Sequence, residues 1–284
     1  MSIFTSIYNE LVFGGHLLSL GTASIAATCS VVLGRNPPID LLVIAYLFSH
    51  ASYTLNRATE IDQDTISHPG RTAYVTKRKN ILFAIVPIEF LVGFALAMLK
   101  NMLFFLALFL PLVLAGLYSL GAERLVKLAG ANRFKEKLIV KNITASSAWS
   151  LIPLIVCLYF PQISAGPLLL TPFIFLRLLS NTVFFDIRDV KADRAFGTRT
   201  IPSVYGMGAA DVFMRGADIA AFCYIVLVTS FGLVPYFALT LAVFPIYSFI
   251  YRYLSRSVDK DTIRDLIADG EFALWAPAIY LAKI

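Results

Sequence analysis

The sequence predicts an all-α fold: a polytopic membrane helix bundle of about nine transmembrane helices. Composition, run length and charge alternation each lead there. Of 284 residues, 58% are hydrophobic and only 15% charged, and the mean hydropathy is +0.75. Soluble chains sit at roughly 45–50% apolar and about 25% charged residues. The excess is in the direction of lipid.

A spanning helix needs roughly 17–25 predominantly apolar residues. Runs at 11–33, 39–55, 81–99, 102–120, 138–160, 168–185, 209–231, 234–251 and 266–281 meet or approach that length. The last is the weakest, because Asp269 and Glu271 interrupt it. The first is expected to be a span and not a secretory leader, since no basic stretch precedes it and it exceeds the ~7–15 residues of a leader core. Cys29, Cys157 and Cys223 all lie inside apolar runs. They read as small packing residues, with no metal spacing and no disulfide framework. One membrane domain covering 1–284 is expected.

The net charge of +6 is distributed unevenly. Arg57, Arg71, Lys77, Arg78 and Lys79 follow the second run; Arg124, Lys127, Arg133, Lys135 and Lys137 follow the fourth. Arg188, Lys191, Arg194 and Arg199 follow the sixth; Arg252, Arg256, Lys260 and Arg264 follow the eighth. The alternate connections offer only Arg35 and Lys100. Lys and Arg collect in cytoplasmic loops, so the four basic segments are expected inside, with the N-terminus inside and the C-terminus outside. The same alternation accounts for the basic balance without nucleic acid as a partner. The connections at 57–80 and 188–208 are read as long cytoplasmic segments, a length that is often functional.

Both of those segments follow a helix that ends in carboxylates. Asn56, Glu60 and Asp64 stand at i, i+4 and i+8, on one drifting face of a continuing helix. Asp186, Asp189 and Asp193 have offsets that also share a face. Both clusters fall on the side assigned to the cytoplasm and can face each other across the bundle. Two carboxylates ~4 Å apart repel by about 4 kcal/mol at an effective dielectric near 20, so such a pair needs a counter-charge. Hard oxygen ligands at this density suit Mg²⁺, which uses one or two carboxylates plus substrate phosphates. A solvated helix end, its acids paired with Arg57, Arg188 and Arg194, accounts for either cluster alone. Two clusters at equivalent helix ends favour a shared site.

Anion-binding groups follow each cluster: His68-Pro69-Gly70-Arg71-Thr72 after the first and Gly197-Thr198-Arg199-Thr200 after the second. An arginine in each can grip a phosphate bidentately. Lys141, beside Asn142 near the start of the fifth helix, either snorkels to the interface or points inward at a phosphate.

At these residues the chain resembles the UbiA superfamily of intramembrane prenyltransferases. Its signature is Asn-x-x-x-Asp-x-x-x-Asp after the second helix and Asp-x-x-x-Asp after the sixth. Asn56, Glu60 and Asp64 resemble the first, and Asp189 and Asp193, with Asp186 upstream, closely resemble the second. Arg194, Arg199 and the Thr200…Pro202 tail, Tyr118-Ser119 and Lys141-Asn142 also fall where such enzymes place similar residues. Two departures stand out. Glu60 replaces the usual Asp and lengthens its reach by a methylene, and His16 is offered by the first helix where many members carry an arginine. An apolar-helix histidine is more often a packing or hydrogen-bonding residue than a catalytic one.

The resemblance implies helices arranged around a central chamber open to lipid, and Mg²⁺-dependent transfer of a prenyl group from a prenyl diphosphate to an aromatic or lipid-like acceptor in the membrane. It implies Asn56, Glu60, Asp64, Asp189 and Asp193 as catalytic, with Glu60, Asp64, Asp189 and Asp193 holding the metal. Arg71, Lys141, Arg194, Arg199, Asp186 and Tyr118 are the implied substrate-binding groups. Tyr53, Tyr118 and Trp149 are candidate electron-rich walls for an allylic cation. An intramembrane terpene cyclase would use the same acids. A transporter or metal-handling protein would place them near the midplane on broken helices. A CDP-alcohol phosphotransferase would carry an Asp-Gly-x-x-Ala-Arg signature, which this sequence lacks.

Overall fold

The computed structural model describes residues 3–59, 61–119, 139–160, 164–255 and 263–284. Every regular element among them is helical, without a strand. The first apolar run is broken: α1 (Ile3–Tyr8) continues as a wide π turn, Asn9–Phe13, and then α2 (His16–Val32) leaves at 56°. The break falls at Gly14-Gly15. Gly15 has φ 92°, a left-handed value that a β-carbon resists, and a Cβ there would meet Arg57 Nη1 at 3.0 Å. Pro37-Pro38 precede α3 (Ile39–Thr59), whose last turn carries Asn56 and Arg57. A short α4 (Ile61–Ser67) leads through His68 into α5 (Pro69–Lys100), with proline at the start where its missing N–H costs nothing.

α6 (Met102–Ala107) is capped by the Asn101 side chain, which accepts from Phe104 N at 2.8 Å, and α7 (Phe109–Ser119) follows. Then come α8 (Val140–Ser150), α9 (Ile152–Tyr159), α10 (Ala165–Leu168) and the long α11 (Thr171–Ala195). α12 (Ile201–Ser230) opens with a capping box in which Thr200 N donates to Ser203 Oγ at 2.8 Å. A 3₁₀ stretch (Tyr236–Ala242) leads into α13 (Val243–Leu254). The C-terminal segment is a π turn (Ile263–Ala268), a 3₁₀ turn (Phe272–Leu274) and α14 (Trp275–Lys283).

Among the described residues, five helical stretches have the length and apolar character of a span: Pro69–Lys100, Val140–Tyr159, Ala165–Ala195, Ile201–Ser230 and Tyr236–Leu254. The bent pair Ile3–Phe13 and His16–Val32 makes a sixth if taken as one. The expected count of about nine is not confirmed by length and hydropathy among the described residues. The run at 102–120 is split at Leu108, and the run at 266–281 is divided among the end of a π turn, a 3₁₀ turn and α14. α3 has 21 residues, about 31 Å at ~1.5 Å per residue, but its polar side chains lower its hydropathy. The long polar connections are also mostly helical. α5 begins at Pro69 and α11 runs to Ala195, so the helices extend well beyond their apolar runs.

Large side chains on the outside of α5 and α12 (Ile81, Ile88, Leu91, Leu99, Val212, Ile219, Leu227) are exposed, while Ser19, Ser24, Thr28 and Ser30 of α2 are buried. This inside-out distribution is that of an integral membrane protein. Small residues let α2 sit centrally against α3, α14 and the 272–274 turn. A Cβ on Gly21 would stand 2.9 Å from Phe272 Cβ, so this glycine admits the C-terminal segment. The main core gathers Ile25, Ile44, Phe104, Val156, Phe173, Ile225, Leu241 and Trp275. A second cluster, with Val183, Phe184, Met214, Tyr251 and Ala268, lies beside the acidic end of α11.

Candidate active site

α4 packs directly against α11, and so does α8. The first contact sets the helix of Asp64 against the helix of Asp186, Asp189 and Asp193. From the first motif, Asp64 on α4 accepts a 2.7 Å bond from Arg71 Nη2 in the first turn of α5. Arg71 also lies within electrostatic reach of Asp189 in the second motif. Asn56 is partly buried at the end of α3. Glu60, and the side chain of Tyr118, lie outside the described residues.

The second motif is organised by Lys141. Its Nζ lies 3.0 Å from Asp186 Oδ1 and 3.7 Å from Asp193 Oδ1, so it points inward and does not snorkel outward. Asn142 Nδ2 donates to the other Asp186 oxygen at 2.7 Å. Thr200 Oγ1 donates to Asp193 Oδ2 at 3.0 Å, tying the start of α12 to the motif. Asp189 turns to Arg188, which reaches it through Nε at 2.8 Å and Nη2 at 3.4 Å. Among the described residues, no three His, Cys, Asp or Glu side chains converge as a ready-made metal cage.

Two expected clamp residues are not drawn in. Arg194 is exposed and donates to the Ser203 carbonyl at 3.3 Å. Arg199 is exposed, and its carbonyl accepts from Ile139 N. His16 joins a stack: its Nδ1 is 2.5 Å from Tyr46 Oη, and its ring lies 4.6 Å from that of His50, which contacts Glu89 at 2.8 Å. This fits the packing and hydrogen-bonding reading. Tyr53 meets Trp149 edge-on at 6.2 Å, and Trp149 leans on Phe272.

The C-terminal segment supplies groups that the motif reading missed. Asp265 Oδ1 faces His68 Nε2 at 3.2 Å and accepts from Arg188 Nη1 at 2.9 Å, while His68 and Arg188 touch each other. Burial pushes the Asp265 carboxyl up, but the His68 hydrogen bond and the charges of His68, Arg188 and Arg71 outweigh it and hold it below the usual carboxylate range. Further along, Arg177 forks onto Glu271 at 3.0 and 2.6 Å and also contacts Asp218, with all three side chains fully buried. Asp218 in turn accepts from Ser248 at 2.6 Å and Arg252 at 2.5 Å. Arg252, counted above among the loop charges, is thus buried in α13. The available signal was an ionisable residue inside an apolar run, which marks a partnered or functional position.

These features define a membrane-embedded helical bundle whose paired acidic motifs meet lysine and arginine at one end. A family model, the UbiA prenyltransferase family, matches residues 17–275. The chain belongs to that family. Solved structures share its fold. An apo UbiA homolog from Aeropyrum pernix K1 matches at TM-score 0.69 and 16% identity, over 93% of this chain and 96% of that one. A UbiA homolog from Archaeoglobus fulgidus bound to GPP and Mg²⁺ matches at TM-score 0.62 and 16% identity, over 98% and 99%. A structure of digeranylgeranylglyceryl phosphate synthase matches at TM-score 0.58 and 16% identity, over 98% and 96%. A comparison with curated protein sequences returns no match.

Proposed function

We propose that this protein, acting as one membrane domain, transfers a prenyl group from a prenyl diphosphate to an aromatic or lipid-like acceptor, with Mg²⁺ as cofactor. The observation that supports this reading is the packing of α4, which carries Asp64, against α11, which carries Asp189 and Asp193. The Archaeoglobus fulgidus homologs bound to GPP and Mg²⁺ and to DMAPP and Mg²⁺ support it.

The donor set suits Mg²⁺. It is made of carboxylates with Lys141 and Arg71 alongside, the donor chemistry of an ion that uses one or two carboxylates plus substrate phosphates. Asp64, Asp189 and Asp193, with Glu60, are the residues assigned to hold it. When bound, Mg²⁺ neutralises charge on the departing diphosphate. Arg71 and Lys141 exchange their carboxylate partners for phosphate oxygens, and each is held close to the site by those partners beforehand. Asp186, fixed by Asn142, keeps Lys141 oriented. Tyr53 and Trp149 offer aromatic faces to the allylic cation and help to exclude water. The bond from the prenyl carbon to the diphosphate oxygen breaks, that carbon bonds to the acceptor, and the acceptor loses a proton.

The basic segments favour a cytoplasmic site face. Purified protein incubated with a panel of prenyl diphosphates and aromatic or lipid acceptors tests the reading. Mg²⁺-dependent prenylated product is expected. Cyclised product without an acceptor adduct, or no consumption of any diphosphate, would overturn it.

A further inference from the structure

The C-terminal segment reaches the site through one carboxylate, and the geometry of that contact carries more than a structural role. The Arg188 guanidinium is divided between two acids on different elements: Nε and Nη2 hold both oxygens of Asp189, and Nη1 holds Asp265. Arg188, His68 and Asp265 are all buried to within a few per cent. While both Asp189 oxygens accept from Arg188, each keeps one lone pair for a cation, and the positive charge of the guanidinium beside them opposes a cation there. A guanidinium released inside the protein without a counter-charge is strongly destabilising, so the release needs a second anion. Asp265 stands on another arm of the same guanidinium.

We propose that Asp265 is a positioning residue that retains Arg188 when Asp189 turns to the metal–diphosphate, so that the C-terminal segment forms a third arm of the site. The inference rests on the assignment of Asp189 to the metal. The segment is built to hold this position. Its backbone is irregular at 263–274, yet Asn181 Nδ2 donates to the Ala268 carbonyl at 3.2 Å and Tyr247 Oη to the Ile267 carbonyl at 3.1 Å. Glu271 is locked by Arg177, and Ser24 ties both the Ala273 carbonyl and Ala276 N. Irregular backbone persists where protein buries it and satisfies its polar groups. Asp265 also holds His68, in the connection that leads to Arg71, and so it touches both motif regions at once.

The test is thermal stabilisation of the full-length protein in detergent by inorganic pyrophosphate, titrated with MgCl₂. Wild type should show Mg²⁺-dependent stabilisation that Asp189→Asn removes. If wild type shows none, or Asp189→Asn matches it, the metal assignment itself fails and the inference falls with it. With that site established, Asp265→Asn should raise the half-saturating Mg²⁺ about ten-fold, the scale of one lost charged hydrogen bond. Turnover at saturating Mg²⁺ should stay near wild type, and Asp265→Glu should restore the titration. Arg188→Gln should lower the Mg²⁺ requirement, and adding Asp265→Asn to it should change nothing further. A wild-type Mg²⁺ titration in folded Asp265→Asn would overturn the proposal and leave the metal site standing. An effect of Asp265→Asn that persists undiminished without Arg188 would also overturn it. If Asp265→Asn does not fold, Arg188→Gln decides: an unchanged or increased Mg²⁺ requirement refutes the exchange.

Discussion

Arg177→Met is the perturbation whose cost follows most directly from the structure. Arg177, Asp218 and Glu271 are fully buried, and Arg177 binds both acids. With Arg252 they form a set of two cations and two anions with no net charge. Removing Arg177 leaves Asp218 with Arg252 and Ser248, but Glu271 loses both of its arginine bonds. An uncompensated buried charge of this kind costs about 3–5 kcal/mol. Adding Glu271→Gln removes the orphaned charge and should recover about 1–3 kcal/mol, the range of coupling between contacting residues. The assay is reversible unfolding in mixed micelles followed by tryptophan fluorescence. Trp275, packed 5.6 Å from Phe272, reports on the segment that carries Glu271. A loss below about 1 kcal/mol, or a double variant equal to the sum of the singles, would refute the claim that this network is an interdependent buried unit.

Two further outcomes are expected. Glu60→Gln should abolish Mg²⁺-dependent turnover in folded protein while Glu60→Asp keeps part of it, as measured by prenyl transfer; full activity in both would return Glu60 to a solvated helix end. Cysteines placed at Lys135 and Ser164 in a background free of native cysteine should label from the inside and the outside respectively, and outside labelling at Lys135 would reverse the orientation.

The fold class was legible because apolar runs and basic alternation are local patterns. The span count was less so. Hydropathy does not register that Gly14-Gly15 bends the first run or that Leu108 splits the fourth, and the polar residues of α3 lower the hydropathy of a helix long enough to span. The two motifs were legible from their spacing, and the helices that carry Asp64 and Asp189 pack against each other. Lys141 was legible as a candidate, but its inward direction depends on Asp186, 45 residues away. Arg194 and Arg199 share the motif's neighbourhood in sequence yet face outward, because α11 ends at Ala195 and the chain turns before α12. Asp265 carried only a weak signal. Its partners, His68 and Arg188, lie 197 and 77 residues away, and no periodicity links them.

The central claim is that the two motifs serve one metal–diphosphate cluster. A double-mutant cycle on Asp64→Asn and Asp193→Asn tests it, read as prenyl transfer at saturating Mg²⁺ with thermal stability measured alongside. Residues that act as a unit show grossly non-additive losses. Each single variant should lose orders of magnitude in turnover, and the double should be little worse than either. Small losses that add, in protein that remains folded, would contradict the shared site and with it the assignment of these acids to prenyl transfer.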